Sequence, residues 1–418
     1  MRFFFPDSQD QVDPNFDFVA EQSPEFRVRQ RDDRYAHEVL SRRPYDGLLV
    51  SKPIVDGVAG AAGKYTLAQR HRLYRLGVKG FFRLDRANSP ISAMGDCGAF
   101  SYVREETPPY SVDDVLDFYD GCGFDYGVSV DHVILGYDPA GTGPQVPAWL
   151  QRQQLTLDLA ADFRRAISRR RSGVTPIGVA QGWNPQSYAA AVSALQRMGY
   201  TYIALGGMVS LKTPQIEECL RAVAAVRAPK SVFHLLGVTR VTHLAEFATY
   251  GVVSFDSTSP FRQAFKDDLD NYYTSDRNYV AIRVPQIDGN LRVKGLIRAG
   301  RLDHDRARKA ESLCLQRLVQ FDRHECPQST VLEALRAYAC LVDPEKDRTA
   351  QYAEFLDRAP WKDCDCGICK AVGVQVAIFR GTERNKRRGF HNLHVFGQRM
   401  AAAASSTARK LESTPVPA

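Results

Sequence analysis

The chain has 418 residues, 44% of them apolar and 25% charged, with a formal charge of +7 and nine cysteines. That length can bury a large core and suits one big domain or two ordinary ones. Cysteines scattered singly among apolar neighbours argue against a secreted disulfide framework, and no stretch approaches the roughly 20 apolar residues of a membrane helix.

From the N-terminus, "MRFFFPDSQD" turns acidic after three Phe and lacks the apolar run and cleavage site of a signal peptide, so a cytoplasmic enzyme is expected. Short β-rich runs then recur: "DGLLVS" (46–51), "VKGFFRL" (78–84), "FDYGVSVDHV" (124–133), "VTPIGVA" (174–180), "YTYIALG" (200–206), "SVFHLLG" (231–237) and "GVVSF" (251–255). Helical patterns lie between them. "SVDDVLDFYDG" (111–121) opens on a Ser cap with acids in its first turn. "PQSYAAAVSALQRMGY" (185–200) and "TPQIEECLRAVAAV" (213–226) begin near Pro, with apolar residues at i, i+3, i+4. Strand and helix alternate in this way in a parallel sheet covered by helices. Seven strands with short connections, and no glycine fingerprint after the first, favour a closed (β/α)8 TIM-type barrel over an open sheet.

After about residue 257 the rhythm breaks. A polar stretch leads to a strand pattern at "YVAIRV" (279–284), helices at 304–321 and 330–342, and then "WKDCDCGICK" (361–370). The expected organisation is a barrel over 1–284, an inserted or appended metal-binding subdomain over 285–400, and a disordered tail over 401–418, small, polar and Pro-ended.

In a barrel, catalytic residues come from the C-terminal ends of the strands. The polar residues that follow the apolar runs are Asp96, Asp131, Gln181, Gly206, Gly207 and Asp256. An aspartate after a strand more often caps the next helix than it catalyses, but this convergence predicts a site. Three aspartates without a His, Ser or Lys partner suggest glycosyl transfer, in which one carboxylate attacks carbon and another moves protons. A third carboxylate with an amide and backbone N–H groups can read a planar heterocycle.

Cys364, Cys366 and Cys369, with a His about twenty residues on, suit a tetrahedral zinc ion. Four protein ligands leave no open position, so such a site is structural. An iron–sulfur cluster or a metal-free cluster are the alternatives, and His394 of "HNLH" is a rival fourth ligand.

Taken in order, "DCGAF", "GVAQG", "ALGG", "HLLGV", "SFDS" and the cysteine cluster followed by "FHNL" resemble D-S-G-G-F, G-x-x-Q-G, the glycine pair, Y-L-M-G-V, M-F-D-C and C-x-C-x-x-C…H-N-L of the tRNA-guanine transglycosylase superfamily. The matches run from about residue 90 to 400. The resemblance implies a (β/α)8 barrel with a zinc subdomain that exchanges guanine for a 7-deazaguanine. It makes Asp256 the nucleophile and Asp96 the proton-transfer carboxylate. Asp131, Gln181, Gly206 and Gly207 become base-recognition positions, with Leu236 as a pocket wall, and Cys364, Cys366, Cys369 and His391 become the zinc ligands.

Bacterial members carry an Arg-rich stretch after the nucleophile that touches tRNA. Here "STSPFRQAFKDDLDN" has one Arg and a run of acids. Archaeal members extend into further RNA-binding domains, which are not expected here. The pattern, with "GDCGAF" and "SVDHVILGY", looks closest to the DpdA group, which places bases such as preQ0 into DNA, so DNA is favoured as partner and tRNA is the runner-up. Phosphate contacts are expected from Arg384, Lys386, Arg387 and Arg388 in "RNKRRGF", with "FRRAISRRR" (163–171) a weaker candidate. A non-catalytic paralogous subunit and an unrelated carboxylate-pair hydrolase are competing readings. Family members tend to dimerise, and partner proteins that open DNA are compatible with the absence of a P-loop here.

Overall fold

The computed structural model describes residues 1–7, 9–58, 62–86, 90–266 and 269–412. Eight parallel strands close a barrel in chain order: β1 (Arg2–Pro6), β2 (Gly47–Ser51), β3 (Ser92–Asp96), β4 (Tyr126–Val128), β5 (Thr175–Ala180), β6 (Tyr202–Leu205), β7 (Val232–Leu235) and β8 (Val252–Asp256). Closure comes from β1, which pairs with β2 on one side and with β8 on the other, where Phe4 faces Asp256. The expected (β/α)8 architecture is observed.

One expected strand is a helix, and two of the observed barrel strands were not expected. Residues 78–84 lie mostly in the helix Leu67–Phe82, where Val78, Phe81 and Phe82 are buried. Their i, i+3, i+4 spacing is helical, and a short apolar run alone does not separate helix from strand. The two unexpected strands are β3 and the N-terminal "RFFFP", which is β1. Elsewhere the helical patterns hold. Ser111 caps Val112–Cys122 by accepting from the Asp114 amide, and Asn184 caps Pro185–Arg197 by accepting from the Ser187 amide.

The barrel interior is filled from successive strands by Phe4, Leu49, Met94, Val128, Ile177, Val179, Tyr202 and Ala204. With the interior packed shut, only the residues at and beyond the strand ends are available to a ligand.

The chain divides into two compact units. One comprises Met1–Gln9, Tyr45–Thr258 and Met400–Ala418; the other comprises Asp10–Pro44 and Ser259–Arg399. The boundaries drawn from the sequence at 284 and 400 are not those of the units. Residues 10–44 join the second unit because their polar groups find partners there: Arg380 donates to Glu21 at 2.6 Å, and Lys386 Nζ to the Gln11 carbonyl at 3.0 Å. The tail expectation is corrected in part. The helix Gly381–Glu412 continues through the alanines at 401–404, good helix formers, and residues 413–418 lie outside the described residues. No helix among the described residues is long and apolar enough to cross a membrane.

Candidate active site and metal centre

Each of the eight barrel strands brings a residue to one mouth, at its C-terminal end or just beyond it. β2 ends on Ser51, β3 on Asp96 and β8 on Asp256. Asp7, Gln181, Gly206 and Leu236 follow β1, β5, β6 and β7 directly, and Asp131 lies three residues beyond β4. The expected set Asp96, Asp131, Gln181, Gly206, Gly207, Leu236 and Asp256 is therefore brought to the C-terminal ends of the strands.

Asp131 and Gln181 form one rigid unit. Gln181 Nε2 donates to Asp131 Oδ2 at 2.6 Å, and Gln181 Oε1 accepts from the Ile134 amide at 3.1 Å, which fixes the orientation of the side-chain amide. The Cys97 thiol donates to Asp131 Oδ1 at 3.0 Å, and Tyr102 Oη donates to the Asp131 carbonyl at 3.1 Å. Each carboxylate oxygen retains acceptor capacity beyond these bonds. The glycine pair makes room for this unit. A Cβ on Gly206 would stand 2.2 Å from Gln181 Nε2, and one on Gly207, at φ +75°, 2.1 Å from the Ile134 carbonyl. Leu236 is partly buried against the barrel core, as a pocket wall would be.

Burial, with the nearby Asp96 charge, pushes the Asp131 carboxyl up to about 7 against the pull of Cys97. Asp96 is also raised, first by burial and then by the Asp256 charge, although its Oδ2 accepts from Ser51 Oγ at 2.6 Å. A raised folded value means that the folded state holds a proton the unfolded chain has released. The stability from Asp131 is therefore full below its ordinary value of 3.8 and is lost as pH rises through about 7. The melting temperature of the ligand-free protein is expected to fall from about pH 4 to about pH 7, with ~4 kcal/mol at stake from this group. Asp131→Asn should flatten that fall; equal slopes in the two proteins would count against the assignment.

Asp256 is held from below and from one side. Its Oδ1 accepts from the Gly237 amide at 2.9 Å and faces His234 Nε2 at 3.2 Å. His234 and Ser254 are completely buried. The expectation that the aspartates lack His or Ser partners is thus corrected: Ser51 serves Asp96 and His234 serves Asp256. The signal was present in "HLLGV" and "SFDS". His234 and Ser254 each stand two residues before a mouth residue, and side chains two apart on a strand share a face.

The basic segment is turned largely inward. Arg384, Lys386, Arg387 and Arg388 lie in the first turns of the helix Gly381–Glu412, and the three arginines are buried. Arg384 donates to Gln375 at 2.8 Å and to the Phe18 carbonyl at 2.9 Å, and pairs with Glu21. Arg387 bonds Glu383 and the Asp13 carbonyl. Arg388 donates to the carbonyls of Ala264 at 2.6 Å and Ile378 at 3.0 Å. Buried guanidiniums turned to internal acceptors are poorly placed to grip phosphates. The arginines at 163–171 sit at the C-terminal end of the helix Val146–Arg170, which feeds the N-terminal end of β5 and so lies opposite the mouth. Arg170 there pairs with Asp113 and Asp117 at 2.6 Å.

In the second unit, ligand atoms of Cys364, Cys366, Cys369 and His391 all lie within 4.8 Å of one another, a group that can hold a metal ion. His391 Nδ1 stands 3.5, 3.6 and 3.3 Å from the three sulfurs. Its Nε2 lies 2.8 Å from the Tyr273 carbonyl, so the ring donates there and turns Nδ1 inward. The Tyr272 ring stacks on it with centroids 4.3 Å apart, and the Cys369 amide donates to Cys366 Sγ at 3.3 Å. His394, three residues along the helix, instead meets Asp365 Oδ1 at 2.8 Å and is no part of the cluster.

No protein-family model matches the chain. It is 47% identical over 407 residues, 96% of each chain, to a protein of Salmonella montevideo named DNA-guanine transglycosylase. The match extends over nearly the whole chain, and with it the chain belongs to the DNA-guanine transglycosylase family.

Proposed function

We propose that the protein exchanges guanine in DNA for a 7-deazaguanine base such as preQ0, through a covalent glycosyl ester on Asp256. The observation that carries this reading is the gathering of Asp96, Asp131 and Asp256 at one barrel mouth, in a chain nearly half identical to a DNA-guanine transglycosylase. A target guanosine leaves the stack, at a cost of a few kcal/mol, to reach the mouth. Asp256 attacks C1′ as the bond from C1′ to the base breaks, and Asp96 gives the departing guanine its proton. The incoming base returns its proton to Asp96, its nitrogen bonds C1′, and the carboxylate of Asp256 is released. Two displacements at C1′ restore the original configuration. Asp131 and Gln181 present acceptors and a fixed amide to the base edge, between Gly206, Gly207 and the wall at Leu236.

The metal we assign is zinc, held by Cys364, Cys366, Cys369 and His391. Zinc bonds of about 2.3 Å to sulfur and 2.0 Å to nitrogen set tetrahedral edges of about 3.6 Å, close to the separations at His391 Nδ1. Its role is structural, since four protein ligands leave no place for substrate.

The test is to incubate the protein with labelled guanine, or with labelled preQ0, and either DNA or tRNA. Label is expected in DNA. Label in tRNA alone would overturn the DNA assignment, and label in neither polymer would favour a non-catalytic subunit.

A further inference from the structure

A continuous line of polar side chains runs through the barrel from the half-buried Arg2 to Asp256. Arg2 Nη1 lies 2.8 Å from Tyr126 Oη and Nη2 3.5 Å from Tyr202 Oη. Tyr202 Oη bonds Ser254 Oγ, which lies 2.7 Å from His234 Nδ1, and His234 Nε2 lies 3.2 Å from Asp256 Oδ1. Tyr202 is 5% exposed, and Ser254 and His234 are fully buried. An otherwise apolar barrel core keeps such a line only if every member is satisfied. None of these side chains is among the buried polar groups without a partner.

With a neutral imidazole, the two ends set the direction of the line. A guanidinium only donates, and a carboxylate only accepts. Arg2 therefore gives its hydrogen to Tyr202, Tyr202 to Ser254, and Ser254 to His234 Nδ1. That leaves the histidine proton on Nε2, aimed at Asp256. Oδ1 then holds two donors, Nε2–H of His234 and the Gly237 amide. Oδ2 is the oxygen left to meet the sugar.

We propose that His234 is a positioning residue, locked by Ser254, Tyr202 and Arg2 as the Nε2–H tautomer, that holds Asp256 Oδ1 and so selects Oδ2 as the attacking oxygen. The proposal rests on the reading of Asp256 as nucleophile. It gives a reaction role to residues deep in the barrel, well below any contact with base or DNA. The His234 ring is kept upright by edge contacts with Phe4 and Tyr202, at centroid distances of 5.9 and 6.5 Å.

His234→Leu should lower kcat by about 100-fold while the KM for free base moves by less than about threefold, because a misplaced nucleophile costs rate and not base affinity. His234→Gln, which keeps an N–H near the Nε2 position, should recover kcat to within about tenfold of the parent. Ser254→Ala, which frees the tautomer, should fall between the two. A His234→Leu protein with parental kcat, or one in which only KM changes, would overturn the proposal. Should His234→Leu fail to fold, nitrogen-15 spectra of the parent imidazole decide. A proton on Nε2 alone supports the lock; a proton on Nδ1, or on both nitrogens at neutral pH, overturns it. Asp256→Asn assayed alongside separates the two levels. If that variant exchanges base, the nucleophile reading has failed; the imidazole spectrum reports on the lock in either case.

Discussion

Asp256→Asn is expected to leave a folded protein that forms no covalent adduct with DNA and exchanges base at least about 10⁴-fold more slowly. The site makes this substitution unusually clean. The Gly237 amide and His234 Nε2 both point at Oδ1, so the asparagine carbonyl must turn toward them. Its NH₂ then stands where Oδ2 stood, facing the sugar, with no lone pair suited to attack C1′. Shape and internal hydrogen bonds survive, and the melting temperature should stay within a few degrees of the parent. The measurement is a denaturing gel of protein incubated with labelled DNA and no incoming base. A retarded band from the parent and none from Asp256→Asn is the expected pair. An adduct of undiminished yield from the variant would move the nucleophile elsewhere.

The second large effect is on the fold. Cys366→Ser, or removal of metal by a strong chelator, is expected to unfold the second unit. Cys366 is completely buried, Cys369 nearly so, and His391 is 2% exposed. Without an ion, three thiols and an imidazole would face one another with little else to satisfy them. Structural zinc contributes on the order of 10 kcal/mol or more to folding, comparable with the whole net stability of an ordinary domain. Metal analysis should find one zinc per parent chain and much less in Cys366→Ser. Limited proteolysis should cut the variant first within residues 259–399. Stoichiometric zinc in Cys366→Ser, with an unchanged melting temperature, would show that the cluster does not support the fold in this way.

These predictions draw on different depths of information. The ligands of the metal centre were legible as spacing, because chelation by a short loop requires its cysteines to be near in sequence. Only the choice of His391 over His394 needed the helix. Three residues apart, the two rings leave the helix in different directions, and one finds sulfur while the other finds Asp365. The mouth aspartates were legible as residues that end apolar strands. Their partners were not, because Ser51 and His234 come from other strands and meet Asp96 and Asp256 only once the barrel closes.

The failures have the same origin. "VKGFFRL" satisfies both a strand and a helix locally, and the choice fell to how residues 67–82 pack. "RNKRRGF" reads as a basic patch wherever it occurs. It became an internal brace because residues 10–44, remote in sequence, bring Glu21 and the carbonyls of Gln11, Asp13 and Phe18 to its side chains.

By itself, then, the sequence determined the alternation that makes a closed parallel barrel, the carboxylates at its strand ends and the three cysteines of a cluster able to hold a metal, since each is written in local periodicity or short spacing. The tertiary structure alone decided which charges are buried, which oxygen of Asp256 is tethered and which arginines are unavailable to DNA. Burial and hydrogen-bond partnership are properties of residues distant in the chain, and no local pattern encodes them.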